Sequence, residues 1–192
     1  VLVPLPNLPG LFSSVEWSLV IPQQKSASEF TGRTQVIGLP GAEHWRVKAS
    51  ALPHASEAES RSWRAFIVAC RGAENTFNMP AMPLAAFTGA NPSVTAAVAG
   101  NRAVTVSSVA GIVPGMVATV TQVGGRYRKV VVVGIVGLNV QFEPYLTANP
   151  LVGAAFNLDA PFCTMRLSGN EHGWQRGARV AAGFAFEAEE AL

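Results

Sequence analysis

Aspartate occurs once in this 192-residue chain, at Asp159, and charged residues together make up only 14%, against roughly a quarter in ordinary soluble domains. Paired-carboxylate chemistry would therefore have to rest on glutamates. Histidine is nearly as scarce. His44, His54 and His172 stand apart from one another and from Cys and Asp, without the close ligand spacing that a zinc site uses. No metal is expected. The two cysteines, Cys70 and Cys163, form no CxxC pair, so two buried free thiols are expected rather than a disulfide. G-x-S-x-G, GxGxxG and P-loop patterns are all missing, which leaves no nucleophile elbow and no phosphate cradle. No catalytic, cofactor-binding or metal-ligating residue is assigned, and no cofactor is expected.

Long apolar runs are missing too: nothing approaches the ~20 residues needed to cross a bilayer, and Val130 to Val133 is only strand length. The opening VLVPLPNLPGLF has no basic stretch and is broken by Pro4, Pro6 and Pro9, so it does not read as a signal peptide. A net charge of +2 is too mild for nucleic-acid recognition. Arg126, Arg128 and Lys129, the one basic cluster, are expected on the solvated face of a strand. So little charge fits either a surface covered by neighbouring copies or the low Lys and Glu content of β-rich folds.

What is present begins with one helix. In Ser56 to Gly72, Trp63, Phe66, Ile67 and Cys70 recur at the spacing of a single helical stripe, with Glu57, Glu59, Arg61 and Arg64 off it. Ser56 and Glu59 have the spacing of a capping box. Gly72 supplies a residue that adopts the left-handed conformation at low cost. The spacing predicts a helix over 56–71.

The rest alternates or breaks. Val15, Trp17 and Leu19 alternate with polar residues, as do Trp45, Val47, Ala49 and Ala51, each set with the period of a half-buried strand. Thr34 to Leu39 reads as a short strand, and the polar 23–33 as a loop. Prolines should keep 1–12 extended as a surface arm, able to bring Leu2, Leu5, Leu8, Leu11 and Phe12 to another chain. From about Ala90, tryptophan disappears and short Val, Ala and Thr runs are divided by glycines, the pattern of a small barrel or sandwich. Strands are expected at 103–109, 116–122, 126–133 and 139–142, with a two-residue hairpin at Gly124-Gly125 and a turn at Val113 to Met116. Aromatic-bearing segments return in Phe162 to Leu167 and Val180 to Phe186.

The expected fold is mainly β with one principal α-helix: a β-sandwich or barrel host over 1–89 and 148–192, interrupted by a small barrel-like β domain over 90–147. Trp17, Trp45 and Trp63 should share the host core. Gly32, Gly38 and Gly41 are read as turn glycines, Glu43-His44 and Glu171-His172 as exposed turn residues, and Glu187, Glu189 and Glu190 as a solvated acidic tail.

The order of features carries a resemblance. A strand with Trp17, a loop with Phe30-Thr31-Gly32-Arg33-Thr34-Gln35, a strand with Trp45 and Leu52-Pro53, a helix with Trp63-Arg64-Ala65-Phe66 ending in Arg71-Gly72, and Phe77 beyond it together resemble the distal tail and baseplate-hub proteins of tailed bacteriophages and their relatives in gene transfer agents. The ending, from Phe162 to Leu167 through Asn170 and Trp174 to Phe186-Glu187, is similar too. About two-thirds of the chain takes part. The resemblance implies a structural, non-enzymatic virion protein of the tail, assembled in the host cytoplasm. It further implies a homo-oligomeric ring, commonly a hexamer, between the tail tube protein and the tip or hub proteins, with no nucleic-acid sequence recognition and no membrane span. A carbohydrate-binding β-sandwich module is the alternative, and a small hydrolase the weakest reading, for want of a nucleophile, acid pair or ligand set.

Overall fold

The computed structural model describes residues 1–7, 12–27, 29, 31–39, 42–51, 57–81, 87–98, 101–169 and 184–191. Among them the chain is mainly β, with a single helix and sheets that curl into half-barrels. It divides into two compact units: Val1–Ser18 with Trp45–Ala81 and Phe162–Leu192, and Leu19–His44 with Met82–Pro161.

In the first unit, helix α1 (Glu57–Cys70) buries the expected stripe of Trp63, Phe66, Ile67 and Cys70. Ser56, half of the expected capping box, lies outside the described residues. Glu57 instead pairs forward with Arg61 and Arg64 along the helix. The helix ends with two left-handed residues, Arg71 and Gly72. The backbone N–H of Asn75 then donates to Cys70 O at 3.1 Å, and its side-chain amide donates to Ala69 O at 2.8 Å, so the last carbonyls are satisfied.

The sheet beneath the helix contains β1 (Phe12–Val20), β4 (His44–Ala51), β5 (Thr76–Pro80), β12 (Phe162–Leu167) and β13 (Ala185–Glu190), in the order β1-β4-β13-β12-β5. Strict alternation sets its two faces. Val47, Ala188 and Leu167 lie side by side across three strands on the buried face, as do Glu190, Met165 and Phe77. Trp63 packs edge-on against Phe12 and Phe66 and stacks on Phe184, and Phe66 meets Phe77 and Phe186. The opposite face is a ladder of polar pairs: Lys48 with Glu187, Arg166 with Glu189, Thr164 with Asn78.

Two expectations fail here. Glu187, Glu189 and Glu190 are not a solvated tail, because they lie on β13 between two neighbouring strands, and Glu190 is buried with its Oε2 accepting the Trp45 backbone N–H at 3.1 Å. Nor is the proline-rich opening wholly an arm for another chain. Val3 N–H donates to Thr76 O, Thr76 N–H donates to Val1 O, and Val3 and Phe12 are buried in their own unit. Leu8 and Leu11 lie outside the described residues.

The second unit is built on β6 (Val94–Ala97), β7 (Ala103–Val106), β8 (Val117–Gln122), β9 (Arg126–Val136), β10 (Asn139–Glu143) and β11 (Phe156–Asn157), in the order β11-β8-β9-β10-β7-β6. Its two ends join. Val94 N–H donates to Ala154 O, Gly153 N–H to Val94 O and Phe156 N–H to Pro92 O, each at 2.8 Å, around an antiparallel bridge between Ser93 and Ala155. This seam joins the edges of the curled sheet over 92–94 and 153–156, around a core of Val104, Val106, Ala118, Val120, Val130, Val132, Val140, Phe142 and Phe156. Pairing there covers part of the edge that an open sheet would present.

The barrel reaches further along the chain than the expected 90–147, because β11 pairs with β8 and Leu158 is buried in the same core. β6 and β11 were not foreseen; they are four and two residues long. The Gly124-Gly125 hairpin has three loop residues rather than two, since Gln122 pairs with Arg126. Both glycines have positive φ, which is why neither carries a side chain.

Candidate functional site

Within the second unit, 23–33 is not simply a loop. Gln23–Ala27 (β2) pairs antiparallel with Thr34–Gly38 (β3), in register from Gln23 opposite Gly38 to Ala27 opposite Thr34. Side-chain polarity, read as loop, did not prevent pairing, because a ladder is made by backbone groups that Gln, Lys and Ser carry like any residue. The ribbon forms a sheet of its own, and all ten of its strand residues are exposed. Val36 and Ile37 point to opposite faces, 51% and 47% exposed, with Ile21 and Leu39 exposed beside its base. Leu39 N–H donates to Pro22 O at 3.2 Å, which carries the pairing one step past the strands.

Four residues beyond Leu39, the chain is gripped. Arg128, on β9 in phase with Val130 and Val132, is fully buried, and its Nη2 donates to the backbone carbonyl of Glu43 at 2.6 Å. Glu43, 7% exposed, accepts the Tyr145 backbone N–H on Oε2 at 3.1 Å. Arg102, just before β7, pairs with Glu143 at 2.8 Å and lies 3.8 Å over the Tyr145 ring. Burial pushes the Glu143 carboxyl above its ordinary range, Arg102 opposes the shift and the Glu43 carboxylate adds to it. Gln122, buried on β8, accepts from Ala148 N–H at 2.6 Å and from the Thr147 hydroxyl at 3.2 Å, fixing the stretch that follows.

These positions correct two expectations. Arg128 and Lys129 are buried, so only Arg126 of that cluster is exposed. Glu43 is likewise buried. His44 is half-buried with Nδ1 3.1 Å from Ala42 O, while His54 and His172 lie outside the described residues. No period-two pattern could have shown the burial of Arg128, since four consecutive valines follow Lys129 and either face of β9 could have been the core. Phase alone does not decide it, because Lys129 shares its face with Val131 and Val133 just as Arg128 does with Val130 and Val132.

No protein-family model matches this chain, and no curated protein matches it. Geometry therefore bears the functional reading. Among the described residues no three His, Cys, Asp or Glu side chains gather as a metal-binding group. Cys70 and Cys163 are buried free thiols, and burial pushes the Cys70 thiol up to about 11. Trp63 and Trp45 are buried and Trp17 packs edge-on against Trp45, so these three offer no flat stacking platform for a sugar. Trp174 lies outside the described residues. No helix is long and apolar enough to cross a membrane among the described residues.

Proposed function

We propose that this chain is a structural component of a phage tail, a ring-forming adaptor between the tail tube and the distal tip or hub. One observation supports this beyond the patterned resemblance: a clamped β ribbon that exposes apolar side chains on both faces. A two-stranded ribbon is marginal in water by itself. One that carries Val36 and Ile37 on opposite faces gains stability when each face is covered, and neighbouring copies in a ring cover both. Head-to-tail contact between unlike patches closes into a ring when the rotation allows. The ribbon replaces the proline-rich opening as the segment offered to a neighbour, because Val3 and Phe12 are committed to their own unit.

The test is the mass of the purified chain in solution, with and without the ribbon. The intact chain is expected to sediment as a closed oligomer, with a hexamer as the expected order, and to be found in purified virions. Replacing 23–38 by a short Gly/Ser link should give a folded monomer. An intact chain that stays monomeric at high concentration and is missing from virions would overturn the proposal.

A further inference from the structure

The ribbon has no backing layer of its own among the described residues, yet the chain that leaves it is held by polar contacts that involve two buried side chains, Glu43 and Arg128. We infer that Glu43, Arg128 and Tyr145 form a latch that fixes the ribbon's orientation on the barrel, and that releasing the latch frees the ribbon without unfolding the barrel. The inference rests on this geometry and concerns a ribbon that no neighbour covers, so its test is made at concentrations where the chain is monomeric.

A guanidinium on a barrel strand presents rigid, forked donors, and Arg128 spends one of them on the Glu43 main-chain carbonyl at 2.6 Å, so it holds the backbone and not merely a side chain. The Glu43 carboxylate then reaches the backbone of a different segment, Tyr145, at 3.1 Å. Two points on one residue, tied to two separate places on the barrel, fix Glu43 itself, and Ala42 N–H, donating to Leu39 O at 3.2 Å, ties the end of the ribbon to that anchored residue. Charge-assisted bonds of this kind are roughly twice as strong as neutral ones, and water has little access to compete. The barrel does not depend on them to join its edges, since the seam at Ser93 and Ala155 and the apolar filling are made elsewhere. The contacts that join the barrel's edges and those that hold the ribbon's exit are thus made by different residues.

Backbone ¹⁵N relaxation on the full chain tests this. In the wild type the ribbon amides of 23–27 and 34–38 should show order parameters near the rigid value of ~0.85, and in Glu43→Ala and Arg128→Met they should fall toward or below ~0.6 while the amides of 118–122 and 130–132 stay rigid. Glu43→Gln, which keeps an acceptor for Tyr145 N–H, should recover most of the order. Arg102→Ala, just before β7 and paired with Glu143 rather than bonded to Glu43, should leave the ribbon unchanged. Should Arg128→Met fail to fold, the Glu43 series decides alone. A ribbon equally ordered in Glu43→Ala and wild type, a ribbon already loose in the wild type, or an Arg102→Ala variant as loose as Glu43→Ala would each overturn the latch.

Discussion

The two units solve the same problem, filling a core under a curved sheet, with different materials. The first uses rings: Trp63 alone meets Phe12, Phe66, Phe184 and Phe186 within 6.1 Å between centroids. The second uses mostly valine, with Phe87, Phe142 and Phe156 as its only aromatic core members among the described residues. A helix stands well off a sheet, and large rings span that gap with few residues. A narrow barrel has room mainly for short, stiff side chains that already favour strand conformations. Charge is placed differently as well. Apart from the buried Glu190, the first unit pairs its charges in the open, as in Lys48 with Glu187, where each pair contributes little. The second buries Arg128 and Glu43, where every partner matters.

The sharpest way to break this contrast is Trp63→Ala. Truncating a fully buried Trp that touches four rings should cost about 3–5 kcal/mol, read by calorimetry as a lower melting transition for the first unit. An unchanged transition would mean that the aromatic cluster does not carry that core.

Asn91→Ala should have the next largest effect, and on the second unit. Asn91 Oδ1 accepts both Leu158 N–H at 2.8 Å and Asp159 N–H at 3.1 Å, so its loss leaves two donors to find other partners, at about 1–3 kcal/mol. Denaturant unfolding followed through the second unit would show it. The first unit's transition should not move.

The smallest effect is a matter of pH. The Glu143 carboxyl is raised above its ordinary value of 4.5 by burial first, with Arg102 opposing and Glu43 assisting. A carboxyl whose folded pKa lies above its unfolded value has its ionised form disfavoured by folding, so the penalty is full at neutral pH and is relieved as pH falls through the raised value. Glu143→Gln removes a group that carries that penalty. The melting temperature of the variant relative to wild type should therefore be more favourable at pH 7 than at pH 4, and a difference that is flat with pH would contradict the shift.

Much of the fold was legible because strands and helix each declare a period. β4 reads as Trp45, Val47, Ala49 and Ala51 inward, and β12 as Cys163, Met165 and Leu167 inward, both visible in sequence. The helical stripe was equally plain. What stayed hidden depends on groups that sequence does not bring together. β2 was missed because its stability comes from backbone pairing to β3 and not from an apolar phase of its own. Glu190 looked like the end of an acidic tail, and only the strands on either side of β13 make it interior. The clamp is harder still. Glu43, Arg128 and Tyr145 are 85 and 102 residues apart along the chain as counted from Glu43, and no local pattern links residues at such separations.

The seam of the barrel has a practical meaning. Asn91 stands where the chain enters the barrel, Leu158 and Asp159 where it leaves, and a single side chain touches both. A stretch whose two ends meet needs a recipient loop to open by little more than the width of a strand pair, although lifting 90–160 alone would leave behind Glu43, which Arg128 and Tyr145 hold. The same adjacency allows the reverse operation. Joining 90 to 160 by a few glycines and opening the loop at Gly124-Gly125 would give a circularly permuted barrel with new ends at a turn, and the old entrance would become an ordinary hairpin.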